Sequence, residues 1–275
     1  MGVEADTILT PFQAELAMSA GFEELPKPAP TRLAEIKRRR IGLYKSHQPN
    51  MDEGWTRWIF EQMGVPYKPV GNAEILAAKL RTQFDVLVFA SQGPASINFG
   101  YRAGSMPPEY TGGLGDVGAK ALTAFAEQGG TLIFFDEASL FAIGHMGLPV
   151  RNALRGIPSR DFYCPGSLLR VDLDGNHGLA QGLPESIPIW FEESPAFEIP
   201  PDSPARAIAK YPETDVLVSG WLLGEKHLAN RAALVEVPVG KGRAILFGMR
   251  PQYRAQSYLT MNLIWNALTL SERTP

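Results

Sequence analysis

The sequence predicts an α/β protein whose open parallel sheet carries helices on both faces, with an irregular or antiparallel β insertion in its second half. Three observations predict it. Short apolar runs alternate with stretches of helical spacing, which is the pattern of βαβ units. The runs at 85–90 and 131–135 are continuously apolar rather than alternating, as in strands buried on both faces. From about residue 149 to residue 237 the helical spacing fades, and Pro and Gly punctuate short runs.

Taken in order, residues 1–38 are polar and spaced by Pro11, Pro26, Pro28 and Pro30, with one short amphipathic patch at 12–18. They read as an arm or linker, and residues 39–272 as the α/β domain. Residues 41–44 form a strand. Asp52 is placed to cap a helix in which Trp55, Trp58, Ile59 and Met63 recur at helical spacing, and Gly64 ends it. A short strand at 67–70 and a helix with Ile75, Leu76 and Leu80 on one side lead to the strand at 85–90. The loop at 91–113 is rich in Gly and Pro and long for a compact domain, so it is a candidate lid. Residues 115–128 read as a helix with Val117, Ala121, Leu122 and Phe125 inward, broken by Gly129-Gly130 before the strand at 131–135. Short β runs at 168–173 and 215–218 follow, and the runs at 232–237 and 243–247 flank Gly240-Lys241-Gly242 as a hairpin. A closing amphipathic helix at 258–270 turns Leu259, Leu263, Ile264 and Leu268 to one side.

With 275 residues, 45% hydrophobic and 20% charged, the chain can bury a sizeable core. A net charge of −3 gives no electrostatic reason to expect nucleic acid as a partner. The basic run Lys37-Arg38-Arg39-Arg40 directly precedes a strand and reads as its solvated entrance. No apolar stretch reaches the ~18 residues of a membrane span, and residues 1–6 are acidic, so neither an anchor nor a signal peptide is expected in this chain. A single cysteine, Cys164, excludes an internal disulfide and a Cys-rich zinc site. Cys164 itself reads as structural, and no metal or cofactor is expected.

In an open α/β sheet the ligand site lies beyond the carboxyl ends of the strands. Four strand runs stop there at polar clusters: Ser46-His47-Gln48-Pro49-Asn50, Ser91-Gln92-Gly93, Asp136-Glu137-Ala138-Ser139, and Gly248-Met249-Arg250-Pro251-Gln252-Tyr253-Arg254. Asp136 and Glu137 are the candidate catalytic pair, with Ser139 or His47 assisting, because two adjacent carboxylates polarise one another for acid/base work. The alternative is that one caps the next helix and the other pairs with Arg250 or Arg254. Ser46, Asn50, Ser91, Gln92, Arg250, Gln252, Tyr253 and Arg254 are the candidate ligand-binding residues, the arginine forks suiting a carboxylate or phosphate. Trp55, Trp58 and Trp265 read as core, and Trp190 and Trp221 as an aromatic platform. Gly113-Leu114-Gly115-Asp116-Val117-Gly118 matches a dinucleotide fingerprint literally but follows a loop, so it reads as a helix start; Asp172-Leu173-Asp174-Gly175-Asn176 reads as a turn.

The runs Ile41-Gly42-Leu43-Tyr44, Asn50 through Trp58, Gly129-Gly130-Thr131-Leu132 and Gly240-Lys241-Gly242-Arg243 together resemble the class I glutamine amidotransferase-like fold, an open parallel sheet of the flavodoxin-like kind. More narrowly, Phe162-Tyr163-Cys164-Pro165-Gly166-Ser167 and Ser219-Gly220-Trp221-Leu222-Leu223-Gly224-Glu225 resemble the version found at the C-terminal end of bacterial zinc carboxypeptidase-like proteins. The resemblance implies that a carboxypeptidase domain is encoded upstream, that the first residues are a linker, and that the whole protein is secreted; the chain as given implies the cytoplasm. It also implies a nucleophilic cysteine on a tight turn after a central strand and a histidine near the last strand. Here that turn reads Asp136-Glu137-Ala138-Ser139, and Arg250 and Arg254 stand where the histidine is wanted. None of His47, His145, His177 or His227 has a Glu three residues on, so zinc carboxypeptidase activity is not expected of these residues either. Three readings follow: an accessory domain binding a small polar or anionic ligand such as a peptide end or sugar, a hydrolase of amides, esters or lactones with a rewired centre, or a structural, oligomerising domain.

Overall fold

The computed structural model describes residues 27–270. Eight α-helices and twelve strands are found among them. The first helix, α1 (Pro30–Ile36), leads into β1 (Ile41–Tyr44), α2 (Met51–Met63), β2 (Lys68–Val70), the short helices α3 (Asn72–Leu76) and α4 (Leu80–Gln83), and β3 (Val86–Phe89). Then come α5 (Pro94–Phe99), α6 (Gly115–Glu127), β4 (Thr131–Phe135) and α7 (Ala138–His145). The β-rich second half holds β5 (Arg151–Asn152), β6 (Ser167–Leu173), β7 (Ser186–Phe191), β8 (Phe197–Glu198), β9 (Arg206–Lys210), β10 (Leu217–Ser219), β11 (Ala232–Val239) and β12 (Gly242–Phe247), and α8 (Tyr258–Thr269) closes the fold.

One mixed sheet runs through the molecule. Its parallel part has the order β2-β1-β3-β4-β12, and β11, β9, β6 and β10 extend it with antiparallel neighbours. β1 and β3 lie side by side, yet the chain leaves β1 for the sheet edge at β2 before returning to β3. That reversal makes their carboxyl ends the topological switch point.

Alternation along each strand divides the core in two. Ile41, Leu43, Val86, Val88, Ile133 and Phe135 face α2 and α8, where Ile59, Phe60, Leu263 and Trp265 meet them. Leu87, Phe89, Leu132 and Phe134 face α5, α6 and α7, where Ile97, Leu122, Phe125 and Phe141 pack. Each such side chain fully withdrawn from water contributes about 1.5–3 kcal/mol, so these two layers supply most of the stabilisation. Gly42 sits where the second layer is tightest: a Cβ there would lie 2.5 Å from Leu87 and 2.7 Å from Val70.

Several sequence expectations are corrected. Residues 30–36 are no linker but a helix docked on α8, with Ile36 fully buried and Arg32 donating to Thr269 Oγ1 at 2.7 Å. The patch at 12–18 lies outside the described residues. Asn50 rather than Asp52 caps α2, its Oδ1 accepting from the Asp52 and Glu53 N–H groups. The single helix expected after β2 is two, because Ala78 takes a positive φ between them. The candidate lid contains α5 and a 3₁₀ turn at Pro108–Tyr110. Val117, Leu259 and Trp58 are exposed rather than inward. Arg40 is not merely solvated: its fork holds Asp85 at 2.6 Å and the Thr82 carbonyl, and this pairing keeps the Asp85 carboxyl well below its ordinary range. The hairpin is tight, with Val239 opposite Gly242 and Gly240 at φ +56° in the two-residue turn between them. No helix among the described residues is long and apolar enough to cross a membrane.

Candidate functional site

The carboxyl ends of β1, β3, β4 and β12 carry a continuous polar network. At its centre is Asp136, the residue after β4, fully buried and at φ +51°. A non-glycine residue in that region costs about 1–3 kcal/mol and persists only where its surroundings hold it. Here the Asp136 N–H bonds the Phe247 carbonyl at 2.8 Å and α7 starts two residues later. The turn is therefore tight, as the resemblance implies, but presents a carboxylate in place of a thiol.

Ser91 Oγ donates to Asp136 Oδ2 at 2.8 Å, and Arg250 Nε lies 3.1 Å from the same oxygen. Arg250 also faces Asp52, with Nε 3.5 Å from Oδ2, and its Nη1 donates to Glu192 Oε2. Gln252, fully buried, donates from Nε2 to Asp52 Oδ1 at 3.2 Å. Three carboxylates thus surround one guanidinium. Burial pushes the Asp136 carboxyl up, opposed by the Arg250 charge and by hydrogen bonding to Ser194 and Ser91. Asp52 is pushed up to about 6, first by burial and then by the Asp136 and Glu192 charges, against the pull of Arg250.

Beside this network, beyond β1 and β3, opens a pocket of about 260 Å³ lined by Tyr44, Lys45, Ser46, His47, Asn50, Glu53 and Gln92 among others. Gln92 Nε2 donates to Ser46 Oγ at 2.7 Å, and Ser46 Oγ donates to the Gln48 carbonyl. Glu53 is neutralised from behind by Arg57, whose Nη2 donates to both carboxylate oxygens at 2.6 and 2.8 Å. His47, at the rim, meets the Tyr110 ring edge-on at 5.5 Å. Asn50 joins pocket to network: while capping α2 it donates from Nδ2 to the Ser91 carbonyl at 2.9 Å. Asn50→Ala is expected to lower stability by about 1 kcal/mol through the lost cap, measured by urea unfolding.

The candidate residues therefore separate. Ser46, His47, Asn50 and Gln92 share the pocket, while Ser91, Asp136, Arg250 and Gln252 form the buried network behind it. Ser139 leaves the catalytic set, because it is fully buried with its hydroxyl spent on the Phe134 and Phe247 carbonyls at 3.1 and 3.0 Å. Asp136 has the Arg250 pairing of the alternative reading. Glu137 reaches solvent near Gly93, and burial of its surroundings together with the Asp136 charge holds its carboxyl above the ordinary range. Tyr253 stacks on Trp190 at 4.2 Å, so neither ring is a free platform, and Arg254 turns toward α2 instead of the pocket. Trp221 is exposed. Cys164 is buried, which pushes its thiol up. Sequence reasoning missed Glu192 and Ser194; Asp52 was among the carboxylates that the arginines after the last strand were expected to neutralise, and Arg250 does face it. The Glu192-Glu193-Ser194 cluster after the apolar run of β7 is the same signal that located the other strand ends, and β7 reaches this edge only through the antiparallel pairings of β11, β9 and β6. Among the described residues no group of three or more His, Cys, Asp or Glu could hold a metal ion.

No protein-family profile matches the chain, and no curated protein matches its sequence. Solved structures do resemble it. Cytoplasmic Protein STM3548 from Salmonella typhimurium is similar with a TM-score of 0.52 at 13% identity, over 86% of this chain and 100% of that one. Cytoplasmic Protein STM1381 from Salmonella typhimurium LT2 is similar with a TM-score of 0.52 at 12% identity, over 83% of this chain and 97% of that one. The fold is α/β and flavodoxin-like. A putative GMP synthase protein from Thermoplasma acidophilum is also similar, with a TM-score of 0.49 at 13% identity, over 83% of this chain and 94% of that one.

Proposed function

We propose that this chain is a ligand-binding domain without glutamine amidotransferase activity, and that a small polar or anionic ligand occupies the pocket beyond β1 and β3. The observation that carries this reading is the coincidence of the topological switch point with a pocket walled by Lys45, Ser46, His47, Asn50 and Gln92. Its volume, about 260 Å³, falls just below the range of drug-sized sites and suits a small carboxylate, a phosphate or a single sugar. Lys45 favours negative charge, and Glu53 does not repel it because Arg57 holds that carboxylate. The turn after β4 offers Asp136 where an amidotransferase needs a thiol.

Calorimetric titration with acetate, glycolate, inorganic phosphate and common monosaccharides tests the reading. One of these should bind, and Gln92→Ala should weaken it roughly tenfold, the effect of losing one hydrogen-bonding side chain to a charged group. Silence across the panel, or an unchanged affinity in Gln92→Ala, overturns it.

A second reading, a hydrolase, is favoured by one observation: Glu137 is solvent-accessible, next to the strained turn, with its carboxyl raised above its ordinary value by burial and the Asp136 charge, the direction that suits a general acid. It calls for turnover in a screen of amides, esters and lactones that drops at least ~10²-fold in Glu137→Gln. A place beside a zinc carboxypeptidase domain belongs to the same proposal, resting on the sequence resemblance alone; an in-frame peptidase domain upstream supports it. A purely structural role predicts instead a concentration-dependent assembly by light scattering.

A further inference from the structure

A separate cleft lies on the other side of α2. Met51, Gly54, Trp55 and Trp58 on α2 and Arg254 and Ala255 from the turn after β12 line an open groove of about 680 Å³, and none of them lines the strand-end pocket. Its floor is apolar and wet: Met51 is 63% and Trp58 40% exposed, and Trp55 meets Trp58 edge-to-face at 5.8 Å. Tyr258 and Leu259, at the start of α8 close by in sequence, are exposed too. Apolar surface concentrated in this way marks a contact site more often than a solvated face, and Trp, Met and Arg are the residues that such contacts favour.

Arg254 gives the groove its sign. It is exposed, lies over the Tyr253 ring at 5.2 Å and acts on Asp52 through its charge, but makes no direct hydrogen bond or ion pair among the described residues. Arg254 and Ala255 have consecutive positive φ values of 44° and 58°. The turn that imposes them is held by Ala255 N–H to the Gln252 carbonyl and by Thr260 Oγ1 to the Pro251 carbonyl, at 2.8 and 2.6 Å. While Arg250, four residues earlier, is committed to Asp52, Asp136 and Glu192, Arg254 is carried out to the rim. α8 then begins without a side-chain cap or an acid in its first turn, so nothing on that turn cancels the positive charge.

We propose that this cleft binds an apolar carboxylate, the chemistry of a peptide C-terminus bearing an aromatic or branched side chain. The side chain lies against Met51, Trp55 and Trp58, and the carboxylate takes the free fork of Arg254. A planar guanidinium matches a carboxylate through two parallel hydrogen bonds, whereas an amide can use only one acceptor. The inference does not depend on occupancy of the strand-end pocket.

Titration of the full chain with N-acetyl-phenylalanine, followed by tryptophan fluorescence and calorimetry, tests it. The acid should bind with a change in tryptophan fluorescence, its primary amide roughly tenfold more weakly, and acetate should leave that fluorescence unchanged. Arg254→Asn, which suits a positive φ, and Trp58→Ala, at an exposed position, should each lower the affinity for the acid at least ~10-fold, while Gln92→Ala leaves it unchanged. Equal binding of acid and amide overturns the proposal, as does an affinity unmoved in Arg254→Asn or no binding at roughly 10 mM ligand. Light scattering supplies a further check: a dimer lost in Trp58→Ala would mean that a second copy of the chain fills the cleft, which also overturns it.

Discussion

Arg250→Ala is expected to destabilise the protein by about 3–5 kcal/mol, the cost of leaving buried charge without its partner. For a chain of this size that lowers the melting temperature by roughly 10 °C. The reason is the imbalance at the strand ends: Asp136 is fully buried, Asp52 and Glu192 are partly so, and a single guanidinium that is itself only 19% exposed serves all three. Arg250→Lys should recover part of the loss, since an ammonium keeps the charge but not the fork. Because the groups act together, adding Asp136→Asn to Arg250→Ala should restore stability instead of lowering it further. The loss should also shrink in acid, where the stranded carboxyls take up protons. An Arg250→Ala protein within about 1 kcal/mol of the parent by urea unfolding at pH 7 would show that the arginine is not what holds these carboxylates in place.

Asp52→Asn should act in the opposite direction. In the folded protein the Asp52 carboxyl is raised from 3.8 to about 6, so the native state binds this proton more tightly than the unfolded chain does. Stability then falls as the pH rises through the window from about 4 to about 6, and the full cost is present above it. This is the reverse of the usual salt-bridged aspartate. A shift of that size corresponds to a cost on the order of 2–3 kcal/mol at neutral pH. Asparagine imitates the protonated acid and can still accept from Gln252. At pH 7.5 the variant should therefore unfold at higher urea than the parent, and the two curves should converge as the pH falls to 4. A variant less stable than the parent at pH 7.5, or a gap that ignores pH, would falsify the assignment of surplus negative charge to this cluster. The pair of predictions is coupled: removing the cation harms the network, and removing one of its anions relieves it.

The alternation of strands and helices was legible because each depends on local chemistry. Continuous apolar runs such as Thr131–Phe135 must be covered on both faces, and Gly129-Gly130 or Gly240-Lys241 break the chain where it turns. Polar clusters at the strand ends were equally legible, and Asn50, Ser91, Gln92, Asp136 and Arg250 do come to one edge of the sheet. Their division into a pocket and a buried network was not. Ser139 and Gln92 look alike in sequence, each polar and shortly after a strand. One is spent on two carbonyls beneath the sheet edge, and the other faces open space, because a helix start turns one inward and a loop carries the other outward.

What sequence alone determined about this protein is therefore its layering and the edge where its polar groups collect, since hydrophobic periodicity and turn residues act over a few neighbouring positions. Tertiary structure decided the rest. Glu192 reaches Arg250 across 58 positions, through a series of antiparallel pairings, and Asp52 gains a raised carboxyl only because that assembly removes it from water. Charge and solvation depend on distance in space, and chain spacing carries no record of it.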